Sequence, residues 1–296
     1  MRSLELTIAS LFVGGLLIAS PGCDDPAPPV KTAKESEPPA ADADEDGEAG
    51  EAKAKAKAKP KKAKAKAKPK GPKYTCNVCG STTVFADAGA RKSASCPVCK
   101  CSERHRLLIH YLDNASTLLE EKLDVLHVSP QECEETALRH QPNWHYVTSD
   151  YLHDEDLRLD LTNADQPDAS WDLIILYHIF EHIEDDQKAM SETFRLLRPG
   201  GRAIIQVPLE EGVTEIYEDP TITSRAERHK HFGQGDHVRK YSPDGLRERL
   251  EAAGFQVEAV DYLGTLDPAV VEKHKLSGDF EPPLDESIWI ATKPKK

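Results

Sequence analysis

Between residues 103 and 292, short apolar runs alternate with stretches of helical periodicity. No other property of the chain narrows its fold as much. Leu123–Val128 (LDVLHV), Trp171–Tyr177 (WDLIILY), residues 202–207 (RAIIQV) and Ile288–Thr292 (IWIAT) are nearly continuous apolar runs. Residues 145–149 (HYVTS, ending at Asp150) and 255–263 add two more strand candidates. A strand that is apolar on both faces must be covered on both faces, which is the condition of a parallel sheet packed between helices.

The helices fall between these runs. Leu108, Tyr111 and Leu112 recur at helical spacing, which predicts a helix over 103–120. Residues 131–139 predict a second. Met190, Phe194 and Leu197 share one face of a third over 184–198, stopped by Pro199-Gly200-Gly201. Ser242 is a natural N-cap with Pro243 at the first helical position, and Gly254 closes that helix. The pattern predicts an α/β fold: a doubly wound, mostly parallel, seven-stranded sheet of Rossmann-like type. Ligands on such sheets sit beyond the carboxyl ends of the strands, at the point where the strand order reverses.

The chain ahead of this body has a different composition. Of the net charge of −13, residues 24–51 contribute −8 and residues 53–73 contribute +11, so residues 74–296 carry −16. An acidic body is a poor partner for a phosphate backbone, so nucleic acid is not expected as a partner except weakly through the Lys/Ala tract. Residues 24–73 have too few apolar side chains to offset chain entropy, which predicts a disordered linker. Its lysine half reads either as a solvated spacer or as a tether for anionic head groups. Residues 6–20 form an apolar run of signal-peptide length that ends at Ser20-Pro21-Gly22-Cys23. A small residue before Cys resembles the bacterial lipoprotein cleavage site. Residues 1–23 are therefore expected to target the membrane, with Cys23 as the lipidation site; an uncleaved anchor is the alternative.

Cys76-Asn-Val-Cys79 and Cys96-Pro-Val-Cys99 are separated by sixteen residues. Two C-x2-C knuckles at this spacing can turn four thiolates onto one tetrahedral ion, leaving no open position, so the expected role is a structural zinc ribbon over 74–102. Gly80 follows the first pair, where the turn calls for positive φ. Two disulfides are the alternative that an exported protein favours. Cys101 is a spare thiol next to the second pair, and Cys133 stands alone.

Residues 170–186 (SWDLIILYHIFEHIEDD), followed by residues 194–201 (FRLLRPGG), resemble class I S-adenosylmethionine (SAM)-dependent methyltransferases, which show a strand, H-x-x-E-H, an acidic turn, a helix and L-x-P-G-G in that order. The likeness is tighter to a bacterial, methyltransferase type 11-like subgroup with an N-terminal four-cysteine zinc ribbon. That subgroup shares the segments at Ser102–Leu108, Val125–Pro130, Tyr217–Thr223 and His231–Tyr241, and the resemblance spans residues 74 to about 292.

The resemblance implies a SAM-dependent methyltransferase domain over 103–296, with SAM and zinc as cofactors. Ser129 and Pro130, with Gln131 and Glu132, would lie along the methionine part. Asp150 would accept the ribose hydroxyls, since a carboxylate can take two hydrogen bonds at once. Asp160 and Leu161 would flank the adenine. Tyr177 and His178 would face the methyl-transfer site, with Glu181 and His182 beside them. The loop His127-Val-Ser-Pro130 departs from most of the superfamily in having no glycine. The methyl acceptor, small molecule or macromolecule, is not legible.

The segment holding His229, His231, Asp236, His237 and Arg239 reads as a substrate-binding lid with Gly233 and Gly235 for flexibility, or as a second metal cluster. His237 or His231 is its candidate general base. H-x-x-E-H is also an inverted zinc-protease signature, but that chemistry needs both histidines on one helical face, and His178 directly follows a strand. A different class of function is a non-catalytic, membrane-anchored scaffold built on the same fold. SAM and zinc–thiolate chemistry both belong inside the cell, which favours the cytosolic side of the membrane for a membrane-associated domain.

Overall fold

The computed structural model describes residues 70–210, 212–279 and 284–295. The expected targeting segment, the expected lipidation site Cys23 and nearly all of the expected 24–73 linker lie outside the described residues. Among the described residues no helix is long and apolar enough to cross a membrane.

Seven strands form one sheet: β1 (Leu123–Val128), β2 (Trp144–Asp150), β3 (Leu157–Arg158), β4 (Trp171–Tyr177), β5 (Leu197–Gln206), β6 (Gln256–Val260) and β7 (Ile288–Thr292). Their spatial order is β6-β7-β5-β4-β1-β2-β3. The pairs β1–β2, β2–β3, β1–β4 and β4–β5 are parallel, whereas β7 runs antiparallel to both β5 and β6. The predicted mostly parallel seven-stranded sheet is present.

The apolar runs divide their side chains between two cores, as period two requires. Leu126, Val128, Ile174, Leu176, Ala203 and Ile205 face one side. There they pack on Met190 of α3 (Asp186–Leu196) and on Leu246 and Leu250 of α5 (Pro243–Ala252). Val125, Leu173, Ile175, Tyr177 and Ile204 face the other side. They meet Leu107, Leu108 and Leu112 of α1 (Glu103–Asn114), Leu138 of α2 (Glu132–Leu138) and Tyr262 of α6 (Tyr262–Thr265). Each fully buried Leu or Ile contributes roughly 1.5–3 kcal/mol of transfer free energy, so both faces need their helices.

Several boundaries differ from expectation. The predicted helix over 103–120 ends at Asn114 and resumes as a 3-10 turn at Leu118–Glu120. The predicted stop at Pro199-Gly200-Gly201 lies inside β5, where the β4–β5 register shifts between Trp171 and Leu173 and Gly200 takes φ +85. The strand expected over 255–263 ends at Val260, and α6 follows. The two-residue edge strand β3 carries too little periodicity to have been predicted. The expected lid is more ordered than a loop: it contains α4 (Arg225–Phe232), closed by Gly233 at φ +88, and Arg239–Lys240 pairs with Tyr217–Glu218.

Residues 74–102 form a small unit with its own core of Tyr74, Phe85, Cys76 and Cys96. Its two knuckles repeat one hydrogen-bond pattern. Gly80 N–H donates to Cys76 O (2.8 Å) and Lys100 N–H to Cys96 O (2.8 Å). Both closing residues are left-handed, Gly80 at φ +72 as expected and Lys100 at φ +65. Arg106 of α1 joins this unit to the body. Its buried guanidinium donates to Ala94 O (3.0 Å), Cys101 O (2.6 Å) and Lys275 O (2.6 Å), and lies 4.7 Å from the centre of the Phe85 ring. Arg91 and Glu103 form an ion pair across the same junction. Cys101 and Cys133 form a disulfide. The reading of Cys101 as spare and Cys133 as solitary is thereby corrected: distant in sequence, they meet because α1 and α2 pack side by side.

Candidate active site

A cavity of about 800 Å³ opens at the carboxyl ends of β1, β2 and β4, the place expected from the sheet's reversal of order. Its size is that of a small-molecule site.

The wall after β1 begins at Ser129. With no glycine available, Ser129 itself takes φ +46 and donates its N–H to Ser149 O at 2.6 Å. Left-handed backbone at a non-glycine residue is uncommon and is held here by that bond. Gln131 then caps α2, and its N–H donates to Glu134 Oε2 at 2.9 Å. The other Glu134 oxygen is buried with no hydrogen-bond partner among the described residues. Burial pushes the Glu134 carboxyl up to about 7, against the opposing Gln131 N–H and Arg104 charge. Gln131 and Glu134 line the cavity; Pro130, expected there, does not.

Asp150 ends β2. Its Oδ1 accepts from the Leu152 N–H (2.7 Å), the His153 N–H (2.8 Å) and the His153 ring (3.0 Å). Burial opposes ionisation, but these bonds and one to Ser129 outweigh it and hold the carboxyl below its usual range. Asp160 Oδ1 accepts from the Thr162 N–H (2.8 Å) and hydroxyl (2.7 Å), which orders the turn that brings the buried Leu161 to the cavity.

The wall after β4 carries His178 at φ +56, its N–H donating to Gln206 O at 2.8 Å. His178 Nδ1 meets Glu181 Oε1 at 2.9 Å. Burial lowers the His178 imidazole despite Glu181 beside it, and the His178 ring draws the Glu181 carboxyl down although burial opposes this. The pair is therefore a neutral imidazole whose Nδ1–H donates to a carboxylate, which leaves Nε2 as a proton acceptor. Glu181 and His182 lie on a 3-10 turn (Phe180–His182), so His178 and His182 are not on one helical face and the inverted zinc-protease arrangement is absent. Tyr177 lines the cavity with its hydroxyl buried and unpartnered among the described residues.

The former lid segment contributes unequally. His237 is buried at the cavity, 4.7 Å ring-to-ring from His182 in an edge-to-face contact. His231 instead faces away, its Nδ1 2.7 Å from the Tyr217 hydroxyl, and does not line the cavity. His229 is exposed on α4. Arg239 is structural. Its buried guanidinium donates to Phe180 O (2.9 Å), Ile183 O and Glu184 O (2.7 Å), clasping the turn that bears Glu181 and His182.

Among the charged and titratable lining residues, the sequence analysis did not single out Arg104, His105 or Glu134. Arg104 carried the available signal. It sits two positions from Arg106, so on a helix the two point to opposite sides. One reaches the ribbon, and the other lines the cavity, where the charges of Glu134 and Glu181 act on it.

In the ribbon, the Sγ atoms of Cys76, Cys79, Cys96 and Cys99 all lie within 4.8 Å of one another. Cys76 to Cys99 is 3.5 Å and Cys79 to Cys96 is 3.7 Å, and none of the four is in a disulfide. Thiolates around zinc at 2.3 Å stand about 3.8 Å apart, so the set fits that ion.

Comparison with known proteins identifies the family. A family model described as a methyltransferase domain matches residues 101–260. A probable S-adenosylmethionine-dependent methyltransferase of Mycolicibacterium smegmatis is 33% identical over 103 residues, 35% of each chain. This chain thus spans about a third of the length of that curated relative. Among solved structures, a SAM-dependent methyltransferase from Mesorhizobium loti aligns with TM-score 0.44 at 14% identity, covering 61% of this chain and 99% of that one. A 1,6-didemethyltoxoflavin-N1-methyltransferase from Burkholderia thailandensis with bound S-adenosylhomocysteine aligns with TM-score 0.41 at 16% identity, covering 65% and 79%.

Proposed function

Because the chain belongs to the methyltransferase domain family, we propose that residues 103–296 transfer a methyl group from SAM to an acceptor that enters the cavity beside His178. The observation that carries this reading is the union, in one cavity, of an ionised Asp150 after β2 with a neutral His178 oriented by Glu181 after β4. When bound, SAM supplies an electrophilic methyl on a sulfonium. The residues supply the rest. Asp150 accepts the ribose hydroxyls, as charged acceptors do strongly. Asp160 and Leu161 bracket the adenine. Arg104 pairs with the methionine carboxylate, and the unpartnered Glu134 oxygen accepts from the methionine ammonium. His178 Nε2 takes the proton an acceptor must lose, while Glu181 holds the ring in that tautomer. Calorimetry on the full chain is expected to give a saturable heat with SAM. No heat with either SAM or S-adenosylhomocysteine would overturn the enzyme reading in favour of a scaffold.

Cys76, Cys79, Cys96 and Cys99 hold one structural zinc in this reading, supported by their mutual spacing. Metal analysis finding no zinc, with two further disulfides by mass spectrometry, would refute it. The segment 1–23 tethers the domain to the membrane, either as a lipoprotein anchored at Cys23 with the body exported or, as the supply of SAM favours, as an uncleaved anchor with the body on the cytosolic side. Fractionation of a Cys23→Ala variant, expected to change its mobility and release it, tests lipidation. Protease access in intact cells tests the side.

A further inference from the structure

We propose that Glu181, His182 and His237 form a binding site for a first-row divalent cation at the acceptor side of the cavity. The proposal deepens the methyl-transfer reading, since it adds an ion beside the proposed base, but its evidence is local.

The donor atoms of the three residues lie within 4.8 Å of one another, with His182 Nε2 4.0 Å from Glu181 Oε1. Donors on one such cation stand about 3 to 3.5 Å apart, so small side-chain rotations close the set. Two of the three residues are almost wholly buried, and each holds an atom with no hydrogen-bond partner among the described residues: Glu181 Oε2 and His237 Nε2. Leaving a buried carboxylate oxygen and a buried imidazole nitrogen unmatched costs free energy at each, and one cation answers both.

The surroundings are those of ligands rather than of an idle polar cluster. Glu181 Oε1 is held by His178 Nδ1 at 2.9 Å, which aims the carboxylate. His182 Nδ1 stands 3.3 Å from Asp236 O and 3.8 Å from the Asp236 carboxylate. A proton on Nδ1 leaves the Nε2 lone pair directed at Glu181. Metal-bound histidines commonly fix their free nitrogen by donating the other ring N–H to such a partner. The two halves of the site come from distant segments. They are joined by the Val238 N–H to Glu181 O bond (2.9 Å) and by the Arg239 clasp on the Phe180, Ile183 and Glu184 carbonyls.

Two imidazoles and one carboxylate suit Mn²⁺, Fe²⁺, Co²⁺ or Zn²⁺ rather than the oxygen-only sets of Mg²⁺ and Ca²⁺. Three protein ligands leave positions open toward the cavity, where a cation withdraws electron density from a bound acceptor oxygen.

The test uses the full chain with Mn²⁺, followed by electron paramagnetic resonance, and with Co²⁺, followed by electronic absorption. The expected result is one Mn²⁺ or Co²⁺ outside the thiolate knot, showing nitrogen hyperfine coupling or nitrogen/oxygen-type bands. His182→Ala, a half-exposed position, and His237→Gln should each weaken binding tenfold or more, while His229→Ala, on the exposed face of α4, should leave it unchanged. Circular dichroism reports folding of each variant, and SAM calorimetry on the wild type without added cation tests the methyl-transfer reading separately: retained cation binding with no SAM binding sinks that reading and keeps the site. Failure of wild-type protein to bind either ion up to millimolar concentration overturns the site. So does binding without nitrogen coupling, or binding that both histidine variants preserve.

Discussion

Replacing Glu134 with Gln isolates the cost of burying one carboxyl at the cavity. Glu134 is 2% exposed, and burial holds it at about 7 against an ordinary 4.5. Below pH 4.5 the group is protonated whether the chain is folded or not, and contributes nothing. As pH rises from 4.5 to 7, the unfolded chain loses this proton while the folded chain keeps it, so stability falls. Above 7 the loss is complete, and the displacement corresponds to about 3 kcal/mol. Gln keeps a carbonyl oxygen for the Gln131 N–H and never ionises. The variant's stability relative to wild type should therefore climb by about 3 kcal/mol between pH 4.5 and 7.5. His105 and His127, held down to about 2 and about 3 chiefly by burial, titrate in both proteins and cancel in the difference. Urea unfolding of the full chain at half-unit pH steps, followed by fluorescence of its three tryptophans, measures the difference directly. A difference that stays flat across this window would refute the argument, for then Glu134 is either ionised at little cost or hydrated. Saturating SAM should add more stability to wild type at pH 7.5 than at pH 5, because the proposed ammonium partner favours the carboxylate.

Asp150→Ala should weaken SAM binding by about 1–3 kcal/mol, roughly 5- to 150-fold by calorimetry, and an unchanged affinity would remove Asp150 from the site. Arg106→Leu strips buried donors from the Ala94, Cys101 and Lys275 carbonyls; a loss of about 3–5 kcal/mol is expected in urea unfolding, and under 1 kcal/mol would show that this junction carries little energy. Cys133→Ser opens a cross-link spanning 32 residues and should cost up to about 4 kcal/mol on the loop-entropy account. Peptide mapping without reductant should show the Cys101–Cys133 link in wild type; two free thiols there would contradict it.

The parts of this fold legible in the sequence are those with strong local signals. The apolar runs at Leu123–Val128 and Trp171–Tyr177 need cover on both faces, and the N-cap at Ser242 needs no distant partner: its hydroxyl accepts the Gly245 N–H at 3.0 Å. What was not legible depends on packing. Cys101 and Cys133 meet because two helices lie together, and Pro199-Gly200-Gly201 joins a strand because the Trp171 end of β4 pairs with Leu197. In the site, Asp150, Asp160, Leu161, Tyr177 and His178, named from the resemblance, line one cavity. His231 and His237, only six positions apart, were indistinguishable until Gly233 ended α4 between them and sent one to Tyr217 and the other inward. Arg104 and Glu134 were missed because a charged residue in the first turn of a helix usually means solvent, and here it means a buried wall.

Arg104 and Arg106 share the first turns of α1, one guanidinium facing the cavity and the other gripping the carbonyls of the ribbon. A rigid helix cannot shift one without the other. If the ribbon orders around zinc and the cavity takes SAM as proposed, a displacement of α1 at one end would be felt at the other, and any such coupling would be reciprocal. Whatever factor the ribbon's ordering adds to cofactor affinity, the bound cofactor returns to the ribbon. Under the proposed reading, oxidation of the four cysteines, far from the cavity, would then register as weaker SAM binding.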